Sequence, residues 1–289
     1  MSECSSDCGS CSSDCGSRTA PQDFSAHLAP GANVKHVYAV MSGKGGVGKS
    51  LVTSMLATAL AAKGSRVGIL DADITGPSIP KSFGVTRDQL LVTGGEEDPE
   101  AALLLPPVSS NGIRIMSANL LVENEDDPVL WRGALIASAV KQFYSEVFWD
   151  DIDFLLVDMP PGTGDVPLTV FQSLPVEGII MVTSPQELVS MIVNKAVNMA
   201  KQMSIPVIGI VENMSYFECP DNGKRYSVFG ESHIDEIAAE KGLNVLAKLP
   251  IDPSVAKLVD EGRAAEIDVS PLDNAVKIIT GIAGFKPGC

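Results

Sequence analysis

The run Gly43-Lys44-Gly45-Gly46-Val47-Gly48-Lys49-Ser50 has residue types and spacing that imply chemistry on phosphate. It follows the apolar run Val37–Met41 and opens a helical pattern at Ser50. That is the strand–loop–helix setting in which such a loop binds a nucleotide. Glycines let the backbone turn tightly and aim several N–H groups at anionic oxygens, and the positive end of the following helix adds to the attraction. In this setting Lys49 reaches the β- and γ-phosphates and the Ser50 hydroxyl ligates Mg²⁺. Gly43, Lys44, Gly45, Gly46, Val47, Gly48, Lys49 and Ser50 are therefore read as a nucleotide site.

Two acidic segments accompany the loop. Asp71-Ala72-Asp73-Ile74-Thr75-Gly76-Pro77-Ser78 closes the run Val67–Leu70, and Asp158-Met159-Pro160-Pro161-Gly162-Thr163-Gly164-Asp165 closes Phe154–Val157. Carboxylates at the C-terminal ends of parallel strands face the crevice where α/β sheets bind ligands. Asp158 resembles the Walker B aspartate that holds Mg²⁺ through water. Asp73 is placed to orient the attacking water, and Asp71 lies closer to the metal. The Pro/Gly-rich stretches after each carboxylate read as switch loops responsive to the γ-phosphate.

The thiols form a second group. Cys4, Cys8, Cys11 and Cys15 fall within a dozen residues of a Ser/Gly/Asp-rich segment, with Cys219 and Cys289 far away. Four thiolates on a pliable backbone suit either a [4Fe–4S] cluster or structural Zn²⁺, and softness does not separate these metals; free thiols are the third reading. Cys289 reads as an incidental exposed thiol. His27, His36 and His233 read as isolated surface or core histidines.

The elements that must position these groups are legible from periodicity. Continuous apolar runs at Val37–Met41, Val67–Leu70, Ile113–Met116, Phe154–Val157, Ile179–Val182, Val207–Val211 and Val245–Leu249 predict parallel strands covered on both faces. Helical patterns occupy Ser50–Lys63, Gly133–Phe148, Leu188–Met203, His233–Lys241 and Pro271–Ile282. This alternation predicts an α/β fold with a doubly wound, mainly parallel sheet. Residues 1–32 read as a flexible, metal-binding Cys-rich tail, too poor in large apolar residues to offset the entropy of ordering. Residues 33–289 read as one nucleotide-binding domain. The acidic runs Glu96–Glu100 and Glu123–Asp127 read as solvated loops.

Of 289 residues, 21 are Lys or Arg and 36 are Asp or Glu, a formal charge of -15. Such a balance disfavours nucleic acid, which is held by clustered cations, and an anionic membrane surface. No apolar run reaches the roughly 18–20 residues of a membrane span. The N-terminus lacks the basic start and apolar core of a signal peptide, so a cytoplasmic location is expected. In a reducing compartment the cysteines read as ligands rather than disulfides.

Lys44, early in the loop, resembles the second lysine of the deviant Walker A motif in MinD, ParA and the nitrogenase iron protein. That resemblance implies a homodimer in which Lys44 crosses to the partner's ATP and acts catalytically with Lys49 and Asp73. GKGGVGKS, DADITGPSIP, LWRG (Leu130–Gly133), LLVDMPPGTGD and ENMSYFECPDNGKRYSVFG (Glu212–Gly230) together resemble the Mrp/ApbC family of iron–sulfur cluster carrier ATPases, from about Val34 to Ile282. The resemblance implies a SIMIBI-type P-loop NTPase fold, slow ATP hydrolysis with Mg²⁺, and transfer of a cluster, expected to be [4Fe–4S], to apoprotein clients. It also implies that Asn213 recognises adenine and that Pro250 to Asp252 line the base. Many family members bridge a cluster across the dimer with a Cys-x-x-Cys pair. Here Cys219 stands alone, with Asn222 in the second position, so a dimer offers two thiolates there. An N-terminal four-cysteine motif occurs in the Nbp-type branch, with spacing different from that of Cys4 to Cys15. A MinD/ParA-like positioning ATPase and an ATP-gated redox protein are the alternative functions.

Overall fold

Strands made mainly of β-branched and other apolar residues build a sheet that is buried on both sides. The computed structural model describes residues 25–73, 76, 78–94, 102–122, 133–162, 164–185 and 189–284. In chain order the elements are β1 (Asn33–Ser42), α1 (Lys49–Ala62), β2 (Val67–Asp71), α2 (Ile79–Ser82), β3 (Leu91–Thr93), β4 (Leu103–Leu105), β5 (Arg114–Ser117), α3 (Gly133–Ser145) and β6 (Asp151–Asp158). They continue with α4 (Asp165–Ser173), β7 (Gly178–Thr183), α5 (Val189–Gln202), β8 (Val207–Glu218), β9 (Arg225–Tyr226), α6 (Ile234–Lys241), β10 (Val245–Pro250), α7 (Pro253–Asp260) and α8 (Asp273–Ile282).

The main sheet runs β10-β8-β7-β1-β6-β2-β5, all parallel, with the short β9 antiparallel to β8. β3 and β4 form a separate hairpin. Alternate residues of the central strands feed two cores. Val37, Ala39, Met41, Leu155 and Val157 pack beneath α3, α4, α5 and α6. Tyr38, Val40, Leu156, Ile180 and Val182 pack against α1, α2 and α8. The architecture is the expected doubly wound three-layer sandwich.

All seven expected strands and all five expected helices form. The helix anticipated over Gly133–Phe148 stops at Ser145, because Val147 leaves it to bridge Leu104. The pattern at Pro271–Ile282 divides into a 3₁₀ turn, Ser270–Leu272, and α8. α4 and α7 are unanticipated; α7 starts where the Asp252 carboxylate accepts a hydrogen bond from the Ser254 N–H (2.8 Å), with Pro253 in the first turn. Residues 25–32, expected within the tail, rest on the folded domain: Ala26 and Ala29 are buried, and the Ala26 N–H donates to the Ser173 carbonyl at 2.8 Å. Small apolar side chains there fill space beside α4. Cys4, Cys8, Cys11, Cys15, Leu130, Trp131, Arg132, Cys289 and both acidic runs lie outside the described residues.

Candidate functional site: a nucleotide crevice

β1 is the central strand of the sheet, and the chain leaves it for opposite faces on its two sides, which opens a crevice at the C-terminal strand ends. The glycine loop lies there. Gly46 and Gly48 have φ of 78° and 77°, the left-handed region that glycine enters without steric cost. At Gly48 space is also limiting, since a Cβ there would come within 2.2 Å of Asn213 Nδ2. α1 begins immediately afterwards, so its first N–H groups face the loop.

Strand register sets a row of polar side chains across the same edge. Val40 on β1 is level with Asp158 on β6, Asp158 with Asp71 on β2, and Asp71 with Ser117 on β5. Asp158 is fully buried and gathers three residues of α1. It accepts from Lys49 Nζ (2.7 Å) and Ser50 Oγ (2.6 Å) on Oδ2, and from Thr53 Oγ1 (2.7 Å) on Oδ1. Lys49 Nζ also lies 3.5 Å from Asp73 Oδ2. Thr53 was not anticipated, although it sits four residues after Lys49, on the same helix face.

Asp71 is buried as well; it accepts from Ser117 Oγ (3.0 Å) and from the Asp73 N–H (3.1 Å). Burial, and then the neighbouring Asp158 carboxylate, push its pKa well above the usual carboxylate range, against the opposing pull of Lys49. Asp71 thus lies behind the crevice rather than at its surface, while Asp73 lines the cavity itself. Ser117 was not anticipated; only the β2–β5 register reveals it.

Two adjoining cavities flank the loop. One, of about 300 Å³, is lined by Gly45, Gly46, Lys49, Ser50, Asp73 and Ser78. The other, of about 320 Å³, is lined largely by apolar side chains, among them Met55, Met214, Leu249, Pro250 and Ile251, and by Asn213 and Asp252. Leu51 lines both. A polar cradle joined to an apolar slot matches the two ends of a nucleotide. Asn213 is buried and its Nδ2 donates to the Val47 carbonyl at 3.0 Å, which ties the slot to the loop and leaves Oδ1 as the acceptor of the amide.

The remaining expected residues lie apart from this cluster or at its rim. Lys44 is half-buried, and its carbonyl accepts from Ser42 Oγ at 2.9 Å. Cys219 is half-buried at the tip of the β8–β9 hairpin, where its N–H donates to the Lys224 carbonyl and its carbonyl accepts from the Gly223 N–H. Asn222 accepts from the Lys224 N–H through its side chain, so it serves the turn. Among the described residues no group of three or more His, Cys, Asp and Glu side chains is assembled to hold a metal. His36 pairs with Glu177 at 2.8 Å, whereas His27 and His233 are exposed.

A doubly wound parallel sheet carrying a glycine loop, a lysine and serine opening a helix, and a buried aspartate on the neighbouring strand defines a P-loop NTPase. The chain belongs to the ParA family described as NUBPL iron-transfer P-loop NTPase, whose model matches residues 33–283. It is 45% identical over 234 residues to an iron-sulfur cluster carrier protein of Clostridium perfringens (strain 13 / Type A), covering 81% of this chain and 82% of that protein. It is 44% identical over 231 residues to one of Saccharolobus solfataricus, covering 80% and 76%. A nucleotide-binding protein of Archaeoglobus fulgidus, solved in complex with ADP, superposes with a TM-score of 0.71 at 43% identity, covering 81% of this chain and 88% of that one. The cell division ATPase MinD of Pyrococcus furiosus shares the fold alone, at 19% identity and a TM-score of 0.59 over 86% and 99%. Among the described residues no helix is long and apolar enough to cross a membrane.

Proposed function

We propose that this protein is a cytoplasmic, homodimeric ATPase that carries an iron–sulfur cluster, expected to be [4Fe–4S], and delivers it to apoprotein clients. The observation that carries the ATPase half is the convergence of Lys49, Ser50 and Thr53 on the buried Asp158 beneath the glycine loop. The names of the relatives at 44–45% identity support the carrier half.

ATP lies with its phosphates against residues 43–50 and its base in the slot beside Pro250. Asn213 Oδ1 accepts from the adenine amino group while Nδ2 keeps its bond to the loop. Lys49 exchanges Asp158 for the β- and γ-phosphates. Ser50 directly, and Asp158 through water, would hold Mg²⁺; their hydroxyl and carboxylate oxygens suit this hard ion. When bound, it offsets charge on the phosphates. Asp73 orients a water for in-line attack on the γ-phosphorus; the bond to the β–γ bridging oxygen breaks, giving ADP and phosphate. Lys44 of each protomer reaches the partner's nucleotide and stabilises the charge that develops, which makes hydrolysis slow outside the dimer.

The cluster is cargo. Cys4, Cys8, Cys11 and Cys15 provide a complete set of four thiolates within one chain, whereas Cys219 provides two per dimer. The tail is the main cluster site and Cys219 a transient one.

The test is anaerobic purification followed by iron and sulfide analysis, visible absorbance, and transfer to an apo-ferredoxin with and without ATP. Stoichiometric iron and sulfide with ATP-stimulated transfer is expected. A colourless, zinc-loaded protein that transfers nothing overturns the carrier reading.

A further inference from the structure

β8 and β10 do not keep step where they reach the crevice. Glu212 is level with Lys248 and Tyr216 with Pro250, so β8 advances four residues while β10 advances two. The extra residues make a bulge of Asn213, Met214 and Ser215, closed at its far side by the Ile251 N–H donating to the Tyr216 carbonyl at 2.7 Å. Met214 has a φ of 57°, unusual for a side chain of its size. This bulge turns Asn213 onto the glycine loop, where its Nδ2 meets Val47 and crowds Gly48.

A bulge with an unfavourable backbone angle needs something to hold it. Glu212, only 1% exposed, spans it: Oε2 accepts from Ser215 Oγ at 2.5 Å, and Oε1 accepts from Ser232 Oγ at 2.9 Å. Ser232 lies just ahead of α6, beyond the hairpin that carries Cys219. Among the described residues, its side-chain hydrogen bonds go to these two serines and not to the phosphate-side or base-side residues.

We propose that Glu212 is a positioning residue for base recognition: its carboxylate staples the β8 bulge to Ser215 and Ser232 and thereby fixes the Asn213 amide against the loop and the base. The inference rests on the assignment of the slot to adenine made above. Without the staple the bulge relaxes, the amide turns, and discrimination between adenine and guanine is lost along with affinity.

The experiment measures Kd for fluorescent ATP and GTP analogues, with melting temperature alongside, for wild type, Glu212→Ala, Glu212→Gln and Ser232→Ala. For Glu212→Ala we expect ATP affinity to fall about tenfold and the ATP-over-GTP preference to fall with it, the size of one charge-assisted hydrogen bond. Glu212→Gln, which can still bond both hydroxyls, restores both to within about threefold, and Ser232→Ala falls between. A folded Glu212→Ala that keeps the wild-type preference overturns the inference. If that variant does not fold, Ser232→Ala with unchanged preference overturns it instead. A wild type that binds both analogues equally overturns the adenine assignment itself, and this inference with it.

Discussion

Lys49 Nζ and Asp158 Oδ2 lie 2.7 Å apart, with Lys49 only 5% exposed and Asp158 fully buried, so the lysine that opens α1 is held in a buried ion pair. Neither charge is stranded: Asp158 retains two hydroxyl donors, Ser50 and Thr53, when the lysine moves away. In the proposed mechanism the exchange of one anionic partner for another makes the lysine available to a phosphate at modest cost.

Removing this lysine has two consequences. Lys49→Ala should abolish measurable ATP binding and should also destabilise the nucleotide-free protein. The loss is expected to be about 3 kcal/mol, the low end for breaking a buried pair, because the two hydroxyls remain. Binding by calorimetry and unfolding by urea check the two halves separately.

Lys44→Ala should behave differently. Its ammonium enters none of the ion pairs among the described residues, so stability and ATP affinity should stay near wild type. The proposed role in the partner's site requires kcat to fall, by roughly 100-fold or more, as for a removed transition-state cation. Equal loss of affinity in Lys44→Ala and Lys49→Ala refutes that role.

Two loop glycines with the same backbone angle separate strain from crowding. Gly46→Ala meets no atom within 4 Å and should cost about 1 kcal/mol for the left-handed angle alone. Gly48→Ala adds a clash at 2.2 Å with Asn213 and should cost several-fold more and weaken ATP binding. Melting curves for both variants, compared at the same pH, report the difference.

Asp71 carries a pH dependence with a definite sign. Its pKa is raised by burial and by Asp158, so the folded protein holds this proton at pH values where the unfolded chain has released it. Stability from this residue is therefore fully present below the ordinary carboxylate value, about 3.9, and declines as pH rises from there toward the folded value. Asp71→Asn should flatten that decline and raise the melting temperature of the nucleotide-free protein at neutral pH. A steeper decline in the variant contradicts the assignment.

The cluster placement predicts that deleting residues 1–16 removes most bound iron while ATP binding persists, since that segment is nearly free of large apolar residues. Cys219→Ser should keep the iron and slow transfer to an acceptor. The opposite pattern puts the cluster at the hairpin.

Much of this was legible in sequence because it is local. The seven strands are short apolar runs buried on both faces, and the glycine loop with Lys49 and Ser50 is specified by eight consecutive residues. Thr53 was legible in principle, from its place one turn after Lys49. α4 and α7 were not, because each is short; α4 follows a Pro/Gly-rich stretch that reads as loop, and only two residues separate α7 from the end of β10. What only the tertiary structure decided is which distant groups share an environment. The level of Asp158 with Asp71, and of Asp71 with Ser117, depends on strand order and register, neither of which is written in any single segment; it buries Asp71 between Asp158 and Ser117, while Asp73, two residues further along the same segment, lines the cavity. Likewise nothing local marks Glu212. Its sequence neighbours form an ordinary strand pattern, and its bond to Ser232, twenty residues on, exists only because the β8–β9 hairpin brings the chain back across the bulge.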